Sequence, residues 1–171
     1  MEATLGQNFR FRSDPNFAPG SGLGDNKSDI VGQIKFQFPP RLVLMHQFNI
    51  DPDDGTIRRN EVYVRAALGR ATLDLSYVRL PQTAADPSIG VQEQVSVSTT
   101  IPIFGNWGVF GEARRDLAQS QMLESGIGLK YEDECFVVSF GYHRRDTETL
   151  NLKPASSVIF RIGLKTGFAG G

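Results

Sequence analysis

The sequence predicts an all-β fold, an up-and-down antiparallel sheet of about ten strands with the proportions of a transmembrane β-barrel. Three observations predict it. Apolar and polar residues alternate with a period of two along most of the chain, the period of a strand and not of a helix. Most of the alternating segments approach the roughly 9–11 residues with which a tilted strand crosses a bilayer. The joins between them alternate short and long from one end of the chain to the other, as turns at one barrel end and loops at the other require.

In chain order, "LGQNFRFR" (5–12) is the weakest candidate strand, and a polar, glycine-rich loop follows it over 13–28. "DIVGQIKFQF" sets Ile30, Ile34, Phe36 and Phe38 against Gln33, Lys35 and Gln37. The tight "PPR" (Pro39–Arg41) leads to "RLVLMHQFNI", which alternates less cleanly, and "DPDDGT" (Asp51–Thr56) leads to "RNEVYVRAAL". A short "GR" joins that strand to "ATLDLSYVRL", and the long "PQTAADPSIG" leads on to "VQEQVSVSTTI". After a short "FGN" come "GVFGEARR", a medium "DLAQSQ" and "MLESGIGLKY". A short "EDE" precedes "CFVVSFGYHR", where Phe136, Val138, Phe140 and Tyr142 oppose Ser139, Gly141 and His143. The long "DTETLNLKPA" precedes the last strand, "SVIFRIGLK". One stretch reads two ways: Glu112–Glu124 has Ala113, Leu117 and Met122 loosely spaced for a helix face, or it is strand, loop and strand.

Totals set outer bounds. A length of 171 residues is that of one domain. No apolar run reaches the roughly 20 residues of a membrane helix, and the slightly negative mean hydropathy says nothing against a barrel, whose alternation averages out. A net charge of −1 without a basic stripe gives no support to nucleic-acid binding. The start, "MEATLGQNFRFRSDP", has neither a basic n-region nor an apolar h-region, so no secretory signal is expected there.

Such a sheet has two closed forms. In a soluble lipid-binding barrel the apolar face turns inward, whereas in an outer-membrane barrel it meets lipid and the polar face lines a wet lumen. The second fits better. Glycines and mid-length polar residues (Gly126, Gly128, Ser139, Gly141, Gly163) crowd the polar face, and Phe36, Phe38, Tyr77, Trp107, Tyr131 and Tyr142 gather near strand ends as interfacial girdles do.

Motifs for chemistry are weak. "GSGLGDNKS" (Gly20–Ser28) has Asn26 where a phosphate loop needs glycine, and a strand pattern follows it instead of a helix. "DPDDG" (Asp51–Gly55) has the composition of a turn and lacks the alternating ligands of a calcium loop. His46 and His143 lie on opposite faces of the pattern, and their spacing argues for no hydrolase centre. With one cysteine, Cys135, there is no pair for zinc or redox chemistry. Lys35, Glu61, Arg65, Asp74, Glu112, Arg114, Glu124, Lys130, Arg161 and Lys165 all fall on the polar face. They read either as mutual cross-strand pairs or as a polar path for charged cargo.

From Gly128 onward the residues carry a resemblance. "GLKY" (Gly128–Tyr131), an acidic turn (Glu132–Glu134), Cys135 before Phe136, "GYHR" (Gly141–Arg144) and a closing "FRIGLK" (Phe160–Lys165) resemble the C-terminal part of LptD-type lipopolysaccharide-assembly proteins of the Gram-negative outer membrane. "TTIPIFGNWGVFGEARRDL" is similar to that family's turn between two late strands, restarting at Trp107. The likeness covers Asp29 to Phe168 and is most specific after Val91.

The resemblance implies a non-enzymatic protein without cofactor, in a very large barrel above a periplasmic jelly-roll domain. Its implied partners are lipopolysaccharide, an LptE-like plug lipoprotein and periplasmic bridge proteins reached through the jelly-roll domain. Lipopolysaccharide would leave sideways into the outer leaflet, between the first and last strands. The last strand (Ser157–Lys165) would be one lip of that lateral gate, with Val158, Phe160 and Ile162 toward lipid and Arg161 and Lys165 inside. Cys135 matches the family's C-terminal cysteine, which implies a disulfide to a cysteine outside this chain. Phe136 stands where some members have a second cysteine, which limits the bridge to one bond. The chain is too short for the whole family architecture, so the expected organisation is a fragment. Residues 1–28 would hold the weak first strand and outer loop, 29–166 the barrel strands, and 167–171 a tail. A self-contained ten-stranded outer-membrane barrel, protease-like or an adhesin, is the alternative.

Overall fold

The computed structural model describes residues 1–9, 27–81, 90–146 and 154–165. The glycine-rich loop with "GSGLGDNKS", most of "PQTAADPSIG" and "DTETLNLKPA", and the tail after Lys165 lie outside the described residues, save the few at their edges. The strands are β1 (Glu2–Gly6), β2 (Ile30–Phe38), β3 (Leu42–Ile50), β4 (Ile57–Leu68), β5 (Ala71–Leu80), β6 (Gln92–Phe104), β7 (Trp107–Asp116), β8 (Gln121–Glu132), β9 (Phe136–Arg145) and β10 (Ala155–Leu164). They form one antiparallel sheet in chain order, with β1 and β10 as its two unjoined edges. The architecture is all-β and up-and-down, as the period of two predicts.

Two expectations are settled or shifted. Glu112–Glu124 is strand, turn and strand: β7 runs to Asp116, Leu117–Ser120 turn, and β8 begins at Gln121. The first strand lies earlier than expected, at Glu2–Gly6 instead of 5–12. Pairing with β2 decides its place, since Ala3 then stands opposite Ile34 and Leu5 opposite Gly32. Beyond it the two segments stay joined through hydrogen bonds of Gln7 and Asn8 with Ser28 and through the isolated bridge between Phe9 and Lys27.

The joins explain the rhythm. Short turns link β2–β3, β4–β5, β6–β7 and β8–β9 at one end of the sheet. Gly69 (φ 67°) and Gly105 (φ 51°) occupy the first central position of their two-residue turns, where a II′ hairpin demands positive φ. At the other end "DPDDG" is a turn: Asp51 accepts from the Asp53 backbone N–H through Oδ1 (2.8 Å) and from Gly55 through its carbonyl (3.0 Å).

The register carries the alternation across all strands, because directly paired residues share a face. One row runs Ile34, His46, Val62, Tyr77, Val95 and Arg115. Its neighbour on the opposite face begins Lys35, Met45, Tyr63 and Ser76. The first face is apolar from Ala3 to Ile162, and the second holds the serines, glutamines and most of the charges. The hollows of the sheet open on the polar face: one is lined by Tyr63, Asp74, Ser76, Ser96 and Arg114, another by Thr4, Gln33, Gln47 and Arg59. The polar face is therefore concave and the apolar face convex.

No apolar side chain is buried among the described residues. What packing there is comes from aromatics laid over glycines. On the concave face Phe110 covers Gly128 and Gly141, where an added Cβ would come within 2.6 and 2.9 Å of its Cζ. On the convex face Phe48 lies over Gly32 in the same way. A Cβ at Gly128 would also run into the Phe140 carbonyl oxygen, which no side-chain rotation relieves. Gly128→Ala should therefore cost about 1–3 kcal/mol of overpacking, with or without Phe110→Ala. Gly141→Ala, which meets mainly the ring, should be rescued by Phe110→Ala. Denaturant unfolding of the four variants checks both.

Candidate functional site

The concave wall is a lattice of cross-strand polar contacts, because period-two strands in register set polar residues directly opposite one another. Arg65 on β4 donates from Nε to Asp74 Oδ1 on β5 (2.6 Å), and the Tyr63 hydroxyl donates to the same oxygen (2.5 Å). Ser76 and Ser96 share a hydrogen bond of 2.6 Å, and Gln47 Nε2 donates to Gln33 Oε1 at 2.8 Å. Arg114 on β7 pairs with Glu124 on β8 at 2.9 Å. His143 on β9 faces Glu112 and Glu124, each 3.8 Å from its Nε2. These contacts join β2 to β3, β4 through β5 to β6, and β7 through β8 to β9.

Of the ten polar-face charges expected from sequence, all lie on the concave parity, and most are paired. Glu61 pairs with Arg59 at 2.6 Å along its own strand. Lys35 and Arg161 make no ion pair with a described residue. His46 stands on the convex face, where Asn60 Oδ1 meets its Nε2 at 2.8 Å, so the two histidines are on opposite faces, as their parity predicts. Asp29 and Asp51 at the loop end are buried against Arg58, which pairs with both.

The last strand is exposed at all but one of its residues, as an edge strand is. Val158, Phe160 and Ile162 point to the convex side at 64, 61 and 65% exposure, and Arg161 lies between them on the concave side. The strand is held at its end by Lys165. Its Nζ meets Glu132 Oε1 at 2.6 Å, its backbone N–H donates to the Cys135 carbonyl (2.8 Å), and Lys130 takes the other Glu132 oxygen at 2.5 Å. Cys135 is exposed and unbonded, in the short turn before β9 at the same rim. Beside it on the convex face stand Trp107, Tyr131 and Phe136, with ring centroids 5.2 and 5.6 Å apart in succession. Tyr77 and Tyr142 mark the opposite end.

Three contributors escape sequence reading. Glu132 looks like turn composition, yet it anchors two lysines from different strands. Tyr63 looks like an apolar exception on a polar face, yet its hydroxyl completes the Arg65–Asp74 pair. Phe110 breaks the polar parity, and only the glycines at Gly128 and Gly141 hint that a ring lies over them. Among the described residues no group of three metal-ligating side chains converges.

A family model described as LPS transport system D matches residues 1–107, which is β1 through β6 and the first residue of β7. The likeness read from the sequence, most specific after Val91, overlaps that match over 92–107 and continues beyond it. Similar curated relatives are named LPS-assembly protein LptD. The relative from Psychrobacter arcticus is 36% identical over 41% of this chain, and that match covers 8% of the relative. Those from Aromatoleum aromaticum and an Azoarcus species are each 25% identical, over 84% and 86% of this chain. This chain spans 18% of the length of each of those two.

The turn that carries Cys135 has its own pH dependence. Asp133 Oδ1 accepts the backbone N–H groups of Phe136 and Cys135, both at 2.8 Å, and these bonds hold its carboxyl below the usual aspartate range. A depressed folded-state pKa stabilises fully above the unfolded value of about 3.9 and is lost as pH falls through the folded one. Asp133→Asn should therefore lower the unfolding midpoint at about pH 6, and the gap to wild type should shrink as pH falls below the unfolded value of about 3.9. A gap independent of pH would contradict the assigned role.

Proposed function

The chain belongs to the LPS transport system D (LptD) family, and from that premise we propose that it is the C-terminal barrel segment of an outer-membrane lipopolysaccharide-assembly transporter. The single observation that carries the reading is the sidedness of the sheet. Its apolar face is convex and uncovered, and its polar, ion-paired face is concave. A soluble barrel would turn the apolar face inward. A lipid-facing barrel wall needs the arrangement found here.

In this reading residues 29–166 supply barrel strands, 1–28 the first strand and an outer loop, and 167–171 a tail. The short-turn end is periplasmic and the long joins face outward, in the outer membrane of a Gram-negative bacterium. The free edges of β1 and β10 favour a wall completed by further strands over a ten-stranded barrel closed on itself, because unpaired backbone groups in lipid cost several kcal/mol each. The protein is not an enzyme; its relatives are named for assembly.

The last strand is one lip of a lateral gate. Val158, Phe160 and Ile162 meet lipid, and Arg161 and Lys165 engage the phosphates of lipopolysaccharide on its way to the outer leaflet. An LptE-like lipoprotein plugs the lumen, and periplasmic bridge proteins deliver cargo through a domain outside this chain. Cys135, exposed at the periplasmic rim in an oxidising compartment, forms a disulfide with a cysteine of that domain.

Replacing both Arg161 and Lys165 by Glu in the full-length protein should lower labelled surface lipopolysaccharide severalfold while the protein stays in the outer membrane. Unchanged surface lipopolysaccharide would remove the gate role from these cations. Cys135→Ser should abolish the mobility difference between reduced and unreduced full-length protein on denaturing gels.

A further inference from the structure

Arginine recurs at one position in three of the four strands that follow a short turn, and β3 has Ile50 there. Counting from the short turns, Arg79 is the ninth residue of β5, Arg115 the ninth of β7 and Arg144 the ninth of β9. All three lie on the apolar, convex face, on the parity of Tyr77, Val109 and Tyr142, and all are exposed.

The register places them on one line. Across β6, Arg115 is level with Tyr77 through Val95. Across β7 and β8, Arg144 is level with Ala113 through Ser125. The row therefore descends two residues for every two strands, the inclination of a barrel whose shear equals its strand number. The short turns descend in step, so the three guanidinium groups share one height. Eight steps of about 3.3 Å on strands tilted by about 40° put that height about 20 Å above the turns, near the upper border of an apolar band about 25 Å tall.

Their local partners leave charge over. Arg144 pairs with Asp146 at 2.6 Å. Arg79 and Arg115 make no ion pair with a described residue. The one carboxylate on this face between them, Glu93, stands opposite Arg79 and accepts the Tyr77 hydroxyl at 2.8 Å, so with Asp146 two carboxylates face three arginines. An arginine at that border lays its stem along apolar neighbours and lifts a five-donor fork to the interface, a geometry that suits phosphate.

We propose that Arg79, Arg115 and Arg144 form a headgroup row on the outside of the wall that holds the phosphates of anionic lipids in the outer leaflet. This row faces the surrounding membrane, away from the concave path and the last strand, and it rests on the membrane-barrel reading above.

The test uses the full-length protein in nanodiscs of phosphatidylcholine doped with phosphatidylglycerol, with the lipid retained on the protein measured by mass spectrometry. Wild type should enrich phosphatidylglycerol over the bulk. Each of Arg79→Gln, Arg115→Gln and Arg144→Gln should reduce that enrichment about fivefold at most, as one interfacial cation warrants, and the triple variant should abolish it. Arg41→Gln with Arg70→Gln, in the short turns, should leave it unchanged. The single variants decide the matter if the triple one fails to fold. An inserted wild type without enrichment, or variants that keep it, would overturn the row alone. Release of the protein from membranes by alkaline carbonate would overturn the barrel reading, and the row with it.

Discussion

Everything in this structure follows from an apolar face that no part of the described chain covers. A soluble sheet buries such a face against a second layer, and a monomer seldom leaves apolar patches beyond a few hundred square ångströms in water. Here the convex side exposes Leu5, Leu75, Ile127 and Leu164, and no apolar side chain among the described residues is buried. Lipid satisfies that face without further protein. Once lipid is the solvent outside, the backbone must be paired strand to strand, which accounts for the pairing of every strand from β2 to β9 with two neighbours and for the demand placed on the two edges.

A wall without a core needs other sources of order. The concave side supplies them through paired side chains: Tyr63, Arg65 and Asp74 lock β4 to β5, Arg114 and Glu124 lock β7 to β8, and Glu132 gathers Lys130 and Lys165 at the rim. Glycines serve the same end. Gly128 and Gly141 leave room for the tip of the Phe110 ring to reach over two strands, restoring apolar contact that the missing side chains would have given. The last strand, an edge, has little of this support. Its only strand neighbour is β9, and its only ion pair to a described residue is the one Lys165 makes just past its end.

Much of this was legible in the residues. The segment Ala71–Leu80 was read from end to end, and the parity of Arg161, Lys165 and both histidines came directly from alternation. Errors fell where pairing overrules pattern. Phe9 and Phe11 drew the first strand toward 5–12, whereas the register with β2 sets it at Glu2–Gly6. Reading of the sixth strand stopped at Ile101, because Pro102 breaks the alternation, yet β6 continues through an irregularity to Phe104. Contacts that skip a strand, such as Lys165 to Glu132, depend on turn geometry that composition does not express.

The central claim is that neighbouring residues of one strand face different solvents. Spin labels at Phe160 and Arg161, introduced singly in a Cys135→Ser background of the membrane-embedded protein, test it most directly through collision with oxygen and with a water-soluble nickel chelate. A label at Phe160 should be relaxed mainly by oxygen and one at Arg161 mainly by the chelate. Chelate dominance at Phe160, or equal response at both positions, would contradict it.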